Sequence, residues 1–131
     1  GRLDTEITQV TPFQCGLLGL SLPRAPDTTA SLGVLYAPGN GFEAGVTARY
    51  TAATSSALGQ PRLGDYTVVD LSMGYTFDTS GGSNIRVDAF VENVFDERYQ
   101  TFEEAVFIPG FQNLRKAGRP RTIGAGVTVN F

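Results

Sequence analysis

The last ten residues constrain the fold most. Ile123, Ala125, Val127, Val129 and Phe131 are apolar, and the intervening Thr122, Gly124, Gly126, Thr128 and Asn130 are small or polar. Successive side chains of a β-strand point to opposite faces, so a period of two makes one oily face and one polar face. The same rhythm returns four times. Thr28 to Ala37 places Ala30, Leu32, Val34 and Tyr36 on one face. Phe42 to Ala52 sets Phe42, Ala44, Val46, Ala48, Tyr50 and Ala52 against Glu43, Gly45, Thr47, Arg49 and Thr51. Asp65 to Phe77 sets Val69, Leu71, Met73, Tyr75 and Phe77 against Tyr66, Val68, Asp70, Ser72, Gly74 and Thr76. Asn84 to Asn93 sets Ile85, Val87, Ala89 and Val91 against Arg86, Asp88, Phe90 and Glu92. A weaker fragment, Leu3 to Gln9, sets Leu3 and Ile7 against Asp4 and Glu6. About six strands are therefore predicted, the first cut short by the chain start, and the fold class is all-β and antiparallel.

The connections alternate in length. Pro38-Gly-Asn-Gly41 and Asp78-Thr-Ser-Gly-Gly-Ser83 are tight turns, whereas Val10 to Asp27, Ala53 to Gly64 and Val94 to Pro120 are long. Short turns at one end and extended loops at the other are the layout of an up-and-down membrane barrel. Loops this long are unusual in a small compact domain. A soluble antiparallel sheet also alternates, because one face packs on a core. Three features favour the barrel. Charges sit within the polar face, at Glu43, Arg49, Asp70, Arg86, Asp88 and Glu92, where a water-filled or plugged lumen accepts them. Tyr36, Phe42, Tyr75, Phe77 and Phe131 gather at the short-turn end, where barrels carry aromatic girdles. The last strand finishes on an aromatic residue.

Composition excludes several function classes. A net charge of −3, with basic residues scattered singly apart from Arg115-Lys116 and Arg119/Arg121, argues against a nucleic-acid surface. No stretch approaches the roughly 18 apolar residues of a membrane helix, which leaves barrels untouched. The absence of histidine removes Ser-His and Asp-His hydrolases, and a single cysteine with dispersed carboxylates makes no metal cluster. Gly39-Asn-Gly41 and Gly81-Gly82 are turn chemistry rather than a phosphate cradle. No catalytic residue, metal site or cofactor is expected. Cys15, within Phe13-Gln-Cys-Gly-Leu-Leu, reads equally as a small apolar residue or as a thiol whose partner lies elsewhere. The N-terminal Gly1-Arg-Leu-Asp-Thr-Glu has no signal-peptide character, so any export signal is expected upstream.

Four local motifs then point to a family. Glu92-Asn-Val-Phe-Asp-Glu-Arg-Tyr99 resembles the Asn-aliphatic-Phe/Thr-Asp-x-x-Tyr signature that closes the penultimate strand of TonB-dependent receptors. Gly118-Arg-Pro-Arg121 is similar to the Gly-x-Pro-Arg element leading into their final strand, and Leu22-Pro-Arg-Ala-Pro26 to their Leu-Pro-x-Ala-Pro element before an earlier strand. Tyr66 to Phe77 matches the family's habit of ending a strand in aromatic-x-Phe. The resemblance covers essentially the whole chain. It implies a barrel of about 22 strands with a plugged lumen, in the bacterial outer membrane. Such receptors import scarce nutrients such as iron-siderophore complexes, cobalamin or glycans, energised by the TonB complex. An iron-siderophore complex is the expected cargo because it is common in the family. The plug, the TonB-contacting segment and the earlier strands are not among these residues. Residues 1–131 are thus expected to be the C-terminal part of the barrel domain, with the rest in the same precursor or a companion chain.

Candidate sites follow. The resemblance implies that Ile123, Val127, Val129 and Phe131 form a C-terminal signal read by the barrel-assembly machinery; Phe131 also serves simply as an interfacial anchor. In the longest loop, Phe107, Phe111, Gln112 and Arg115 combine aromatic and cationic groups that suit an anionic aromatic ligand. The plainer reading is a loop packed on its neighbours, its cations facing lipopolysaccharide. Arg49, Asp70, Arg86, Asp88 and Glu92 are expected to face the lumen and to pair across strands or touch the plug. Three readings of function stand: a TonB-energised nutrient receptor, a structural or porin-like barrel without active transport, and a soluble β-domain.

Overall fold

The computed structural model describes residues 1–4, 6, 8, 22, 24–55, 62–79, 81–104 and 114–131. All regular structure among them is β: β1 (Thr29–Tyr36), β2 (Phe42–Thr51), β3 (Thr54–Ser55), β4 (Arg62–Leu63), β5 (Tyr66–Asp78), β6 (Asn84–Glu92), β7 (Gln100–Glu104), β8 (Leu114–Ala117) and β9 (Thr122–Asn130). A five-stranded sheet runs β1-β2-β5-β6-β9, and β3-β4 and β7-β8 form separate two-stranded pairs. The long strands match the alternating segments to within a residue or so at each end. The rhythm of side chains and the strand boundary share one cause, the pleat.

Register is continuous where the strands are longest. β5 and β6 pair antiparallel from Leu71↔Val91 to Asp78↔Asn84, and β6 and β9 from Asn84↔Asn130 to Glu92↔Thr122. The turn before β2 relies on glycine. Gly41 has φ +86°, its carbonyl accepts from Thr76 N at 2.8 Å, and a Cβ there would strike the Thr76 carbonyl. Only glycine adopts that backbone at no steric cost.

Among the described residues the main sheet has five strands, and the expected first strand, Leu3 to Gln9, falls partly outside them. Just before the weak first segment, Arg2 makes an isolated antiparallel bridge to Thr28, and Leu3 N donates to Asp27 O at 2.7 Å, while residues 5, 7 and 9 lie outside the described residues. The long links after β2 and β6 are not bare loops, since each carries a small strand pair. Strands of two to five residues are too short to show a period, so alternation does not reveal them.

Two compact units divide the chain. One comprises Gly1–Ala30, Tyr50–Tyr66 and Arg98–Gly118; the other comprises Ser31–Arg49, Thr67–Glu97 and Arg119–Phe131. The second has no apolar core on its oily face. Leu32 is 69% exposed and Ile123 72%, and Val34, Tyr36, Leu71, Met73, Phe77 and Val127 are exposed as well. Among the described residues the buried apolar side chains are just Leu63 and Val68, and Val68 belongs to the polar-face series. No second sheet or helix among the described residues covers the oily side. In water this surface would forfeit roughly 25 cal/mol per Å² of apolar area left exposed. Nine residues rise about 30 Å along a strand and about 21 Å across a bilayer at 45° tilt, close to the apolar band of an outer-membrane barrel.

Candidate functional site

The polar face of the second unit is organised by two ion-pair clusters. Arg86 on β6 donates through Nη2 to Glu43 Oε2 and through Nε to Asp88 Oδ1, both at 2.8 Å. Glu43 lies on β2, and β5 runs between β2 and β6 in the sheet, so the guanidinium reaches over a whole strand. Gly74 on β5 makes this possible. It pairs with Asp88, and a Cβ there would come within 2.7 Å of Arg86 Nη2 and 2.8 Å of Asp88 Oδ1. In the second cluster Asp70 is used at both oxygens. Oδ2 accepts from Arg49 Nη2 at 2.6 Å and Oδ1 from the backbone N–H of Asn93 at 2.9 Å. Arg119 Nη1 lies 3.6 Å from Glu92 Oε2. All six polar-face charges named from the sequence, Glu43, Arg49, Asp70, Arg86, Asp88 and Glu92, are thus engaged with one another or with immediate neighbours.

Asp70 leads to the exit of β6, where the Asn93 motif does its work. Asn93 is 2% exposed and has φ +52°, a backbone that asparagine tolerates better than most residues. Its Nδ2 donates to Glu97 O at 3.0 Å and Arg119 O at 2.9 Å, and its Oδ1 accepts from Glu97 N at 2.9 Å. Asp96, also left-handed at φ +51°, accepts from Arg121 N through Oδ1 at 3.0 Å. Two short motifs 26 residues apart, Asn93 to Glu97 and Arg119 to Arg121, are latched together where one strand ends and the last begins.

In the first unit, Tyr99 stacks on Tyr66 with ring centroids 4.1 Å apart and planes 21° from parallel. Tyr99 also covers Gly118, whose N–H donates to Tyr99 O at 2.8 Å; any Cβ on Gly118 would collide with the ring. Arg24 carries its guanidinium 5.0 Å from the centroid of Phe102. Glu103 is buried, with Oε1 accepting from Arg115 Nε at 3.1 Å across the β7-β8 pair.

The sequence-predicted ligand residues are therefore distributed unevenly. Arg115 holds Glu103, and Phe107, Phe111 and Gln112 lie outside the described residues. Ile123, Val127, Val129 and Phe131 are exposed along one side of β9, and the interfacial aromatics form close pairs, Tyr36 with Phe42 at 6.4 Å and Tyr75 with Phe77 at 4.5 Å. The Asn93 latch and the Tyr66–Tyr99–Gly118 stack are roles that residue chemistry alone did not assign. Their signal was an asparagine directly after a strand and a glycine just before an Arg-Pro-Arg run.

An antiparallel meander with an uncovered oily face and an ion-paired polar face defines a membrane β-barrel wall. A family model described as "TonB dependent receptor-like, beta-barrel" matches residues 7–94, about two thirds of the chain. The chain belongs to this family of TonB-dependent receptors, and it is a protein of the bacterial outer membrane whose family function is receptor-mediated transport. The matched span includes Leu22 to Pro26 and the Tyr66 to Phe77 strand; Gly118 to Arg121 follow it.

Proposed function

We propose that residues 1–131 are the C-terminal part of the barrel domain of an active importer whose cargo is an iron-siderophore complex and whose energy comes from TonB. The observation that carries the membrane part of this reading is the exposed row Leu32, Val34, Leu71, Met73, Ile123 and Val127, which only hydrocarbon accommodates without loss. Family membership supports receptor-type transport. The cargo rests on frequency within the family.

Partner requirements follow from the backbone. β1 and β9 are the margins of the five-stranded sheet, and an unpaired N–H or C=O in hydrocarbon costs several kcal/mol. The remaining barrel strands supply those partners, and a plug meets the ion-paired polar face. Ile123, Val127, Val129 and Phe131 serve as the signal for the barrel-assembly machinery. Phe107, Phe111, Gln112 and Arg115 lie on the long connection that faces lipopolysaccharide and incoming ligand.

Uptake of a radiolabelled ferric chelate by iron-starved cells tests the reading. Deletion of the gene should abolish uptake, and removal of TonB should abolish it equally. Uptake that persists without TonB would instead mark a porin-like wall. A deletion strain with normal ferric uptake would remove iron from the proposal.

A further inference from the structure

The outer edge of β1 carries the start of a second ladder. Gly1 and Thr29 exchange both backbone bonds: the Gly1 nitrogen donates to Thr29 O at 2.5 Å, and Thr29 N donates to Gly1 O at 2.8 Å. Leu3 N donates to Asp27 O at 2.7 Å, and Arg2 bridges Thr28 between these two pairs. Each step forward along residues 1–3 is a step back from 29 to 27, which is antiparallel pairing without a bulge. The other edge of β1 belongs to β2, and Thr28 turns its carbonyl to that side, accepting from Ala52 N at 2.9 Å.

Backbone groups of successive strand residues point to opposite edges. Thr29 bonds at the outer edge, so Ser31, Gly33 and Leu35 present their N–H and C=O groups there too. β1 is the margin of the sheet among the described residues, and this stretch also carries the exposed Leu32 and Val34 of the oily face. Each of those groups left unpaired in hydrocarbon costs several kcal/mol. Carried on in the same register, the ladder sets the residue directly before Gly1 opposite Ala30. The third residue before Gly1 then faces Leu32, the fifth Val34 and the seventh Tyr36. Residues directly opposite in a sheet share a face. These four positions therefore meet lipid, and the second, fourth and sixth, opposite Ser31, Gly33 and Leu35, meet the lumen.

We propose that the edge of β1 is covered by the residues that directly precede Gly1 in the precursor, as an antiparallel strand in register with the Gly1–Thr29 pair. Its first, third and fifth residues counted back from Gly1 are apolar. The strand deepens the barrel reading and rests on it for its setting in the membrane. Of the two sources of the remaining strands, the same precursor or a companion chain, it selects the precursor for this edge. A foreign strand would have to share the edge with the chain that enters Gly1 along it. Leu3 pairs with Asp27, in the long link rather than in β1, so the membrane-crossing part of the expected first strand lies before Gly1.

The test uses the whole precursor, expressed in outer membranes in a Cys15→Ser background. A cysteine in place of the residue directly before Gly1 is combined with Ala30→Cys. The two stand in a non-hydrogen-bonded pair, with Cα atoms about 4.5 Å apart, within reach of a disulfide. After mild oxidation, mass spectrometry should find the joined peptide in most of the protein. The same upstream cysteine with Leu32→Cys, one pair out of register, should give roughly tenfold less. If Ala30→Cys fails to insert, the third residue before Gly1 with Leu32→Cys serves as the matched pair.

Equal yields from matched and mismatched pairs, a disulfide only to another chain, or a charge at the first, third or fifth upstream place would each overturn the proposal. So would a precursor with no strand-length stretch before Gly1. Membrane-inserted protein without the matched disulfide removes the strand assignment alone, whereas recovery of the whole precursor as a water-soluble protein removes the barrel reading with it.

Discussion

Asn93 meets three demands at one position: a left-handed backbone, two donors for two carbonyls, and an acceptor for one N–H. Alanine meets none of them. Asn93→Ala removes three hydrogen bonds to backbone groups of Glu97 and Arg119, at a cost of about 2 kcal/mol. The temperature at which the detergent-solubilised protein loses its compact mobility on cold SDS gels should fall; an unchanged temperature would refute the latch. Gly118 is a different case, in which the neighbour sets the requirement. Gly118→Ala should destabilise by about 1–3 kcal/mol because the Tyr99 ring must leave its stack on Tyr66. In a Tyr99→Ala background the same change should cost almost nothing. A cost that stays the same in both backgrounds would show that the ring is not the cause.

At the scale of the element, alternation assigns each side chain of a strand to lipid or lumen. Leu71 and Val127 lie on the oily face of β5 and β9, and Ser72 next to Leu71 lies on the other. Asp in place of Leu71 or Val127 should reduce the fraction inserted into vesicles, by about 1–3 kcal/mol near the bilayer centre. Ser72→Asp should insert normally. Equal insertion of all three variants would mean that the faces are assigned wrongly. The crossing of β5 by Arg86 gives a second expectation. Gly74→Ala should separate Arg86 from Glu43, so that the Glu43→Gln change, felt in the parent protein, becomes silent in the alanine background. Phe90 sits on the polar face for a reason visible only across strands: Gly124 is opposite, and the ring lies over it.

For the whole molecule, the exposed oily rows predict behaviour during purification. The protein should stay in the membrane fraction through high-salt and alkaline washes and require detergent for release. Recovery as a water-soluble monomer would contradict an uncovered face of this composition. Much of this architecture is legible from the amino-acid order. Alternation in Thr28 to Ala37, Phe42 to Ala52, Asp65 to Phe77, Asn84 to Asn93 and Thr122 to Phe131 places the strands, their faces and the polar-face charges, because the pleat permits no other arrangement. The β3-β4 and β7-β8 pairs were not legible, since their few residues carry no period. Nor was the partner of each charge. A pattern of period two looks the same after a slip of two residues, so it names the face of Arg86 but not what stands across the sheet. The tertiary structure settles that register. With register come the reach of Arg86 over Gly74 to Glu43 and the latch of Asn93 on Arg119. These contacts join residues far apart in the chain, and folding rather than periodicity brings them together.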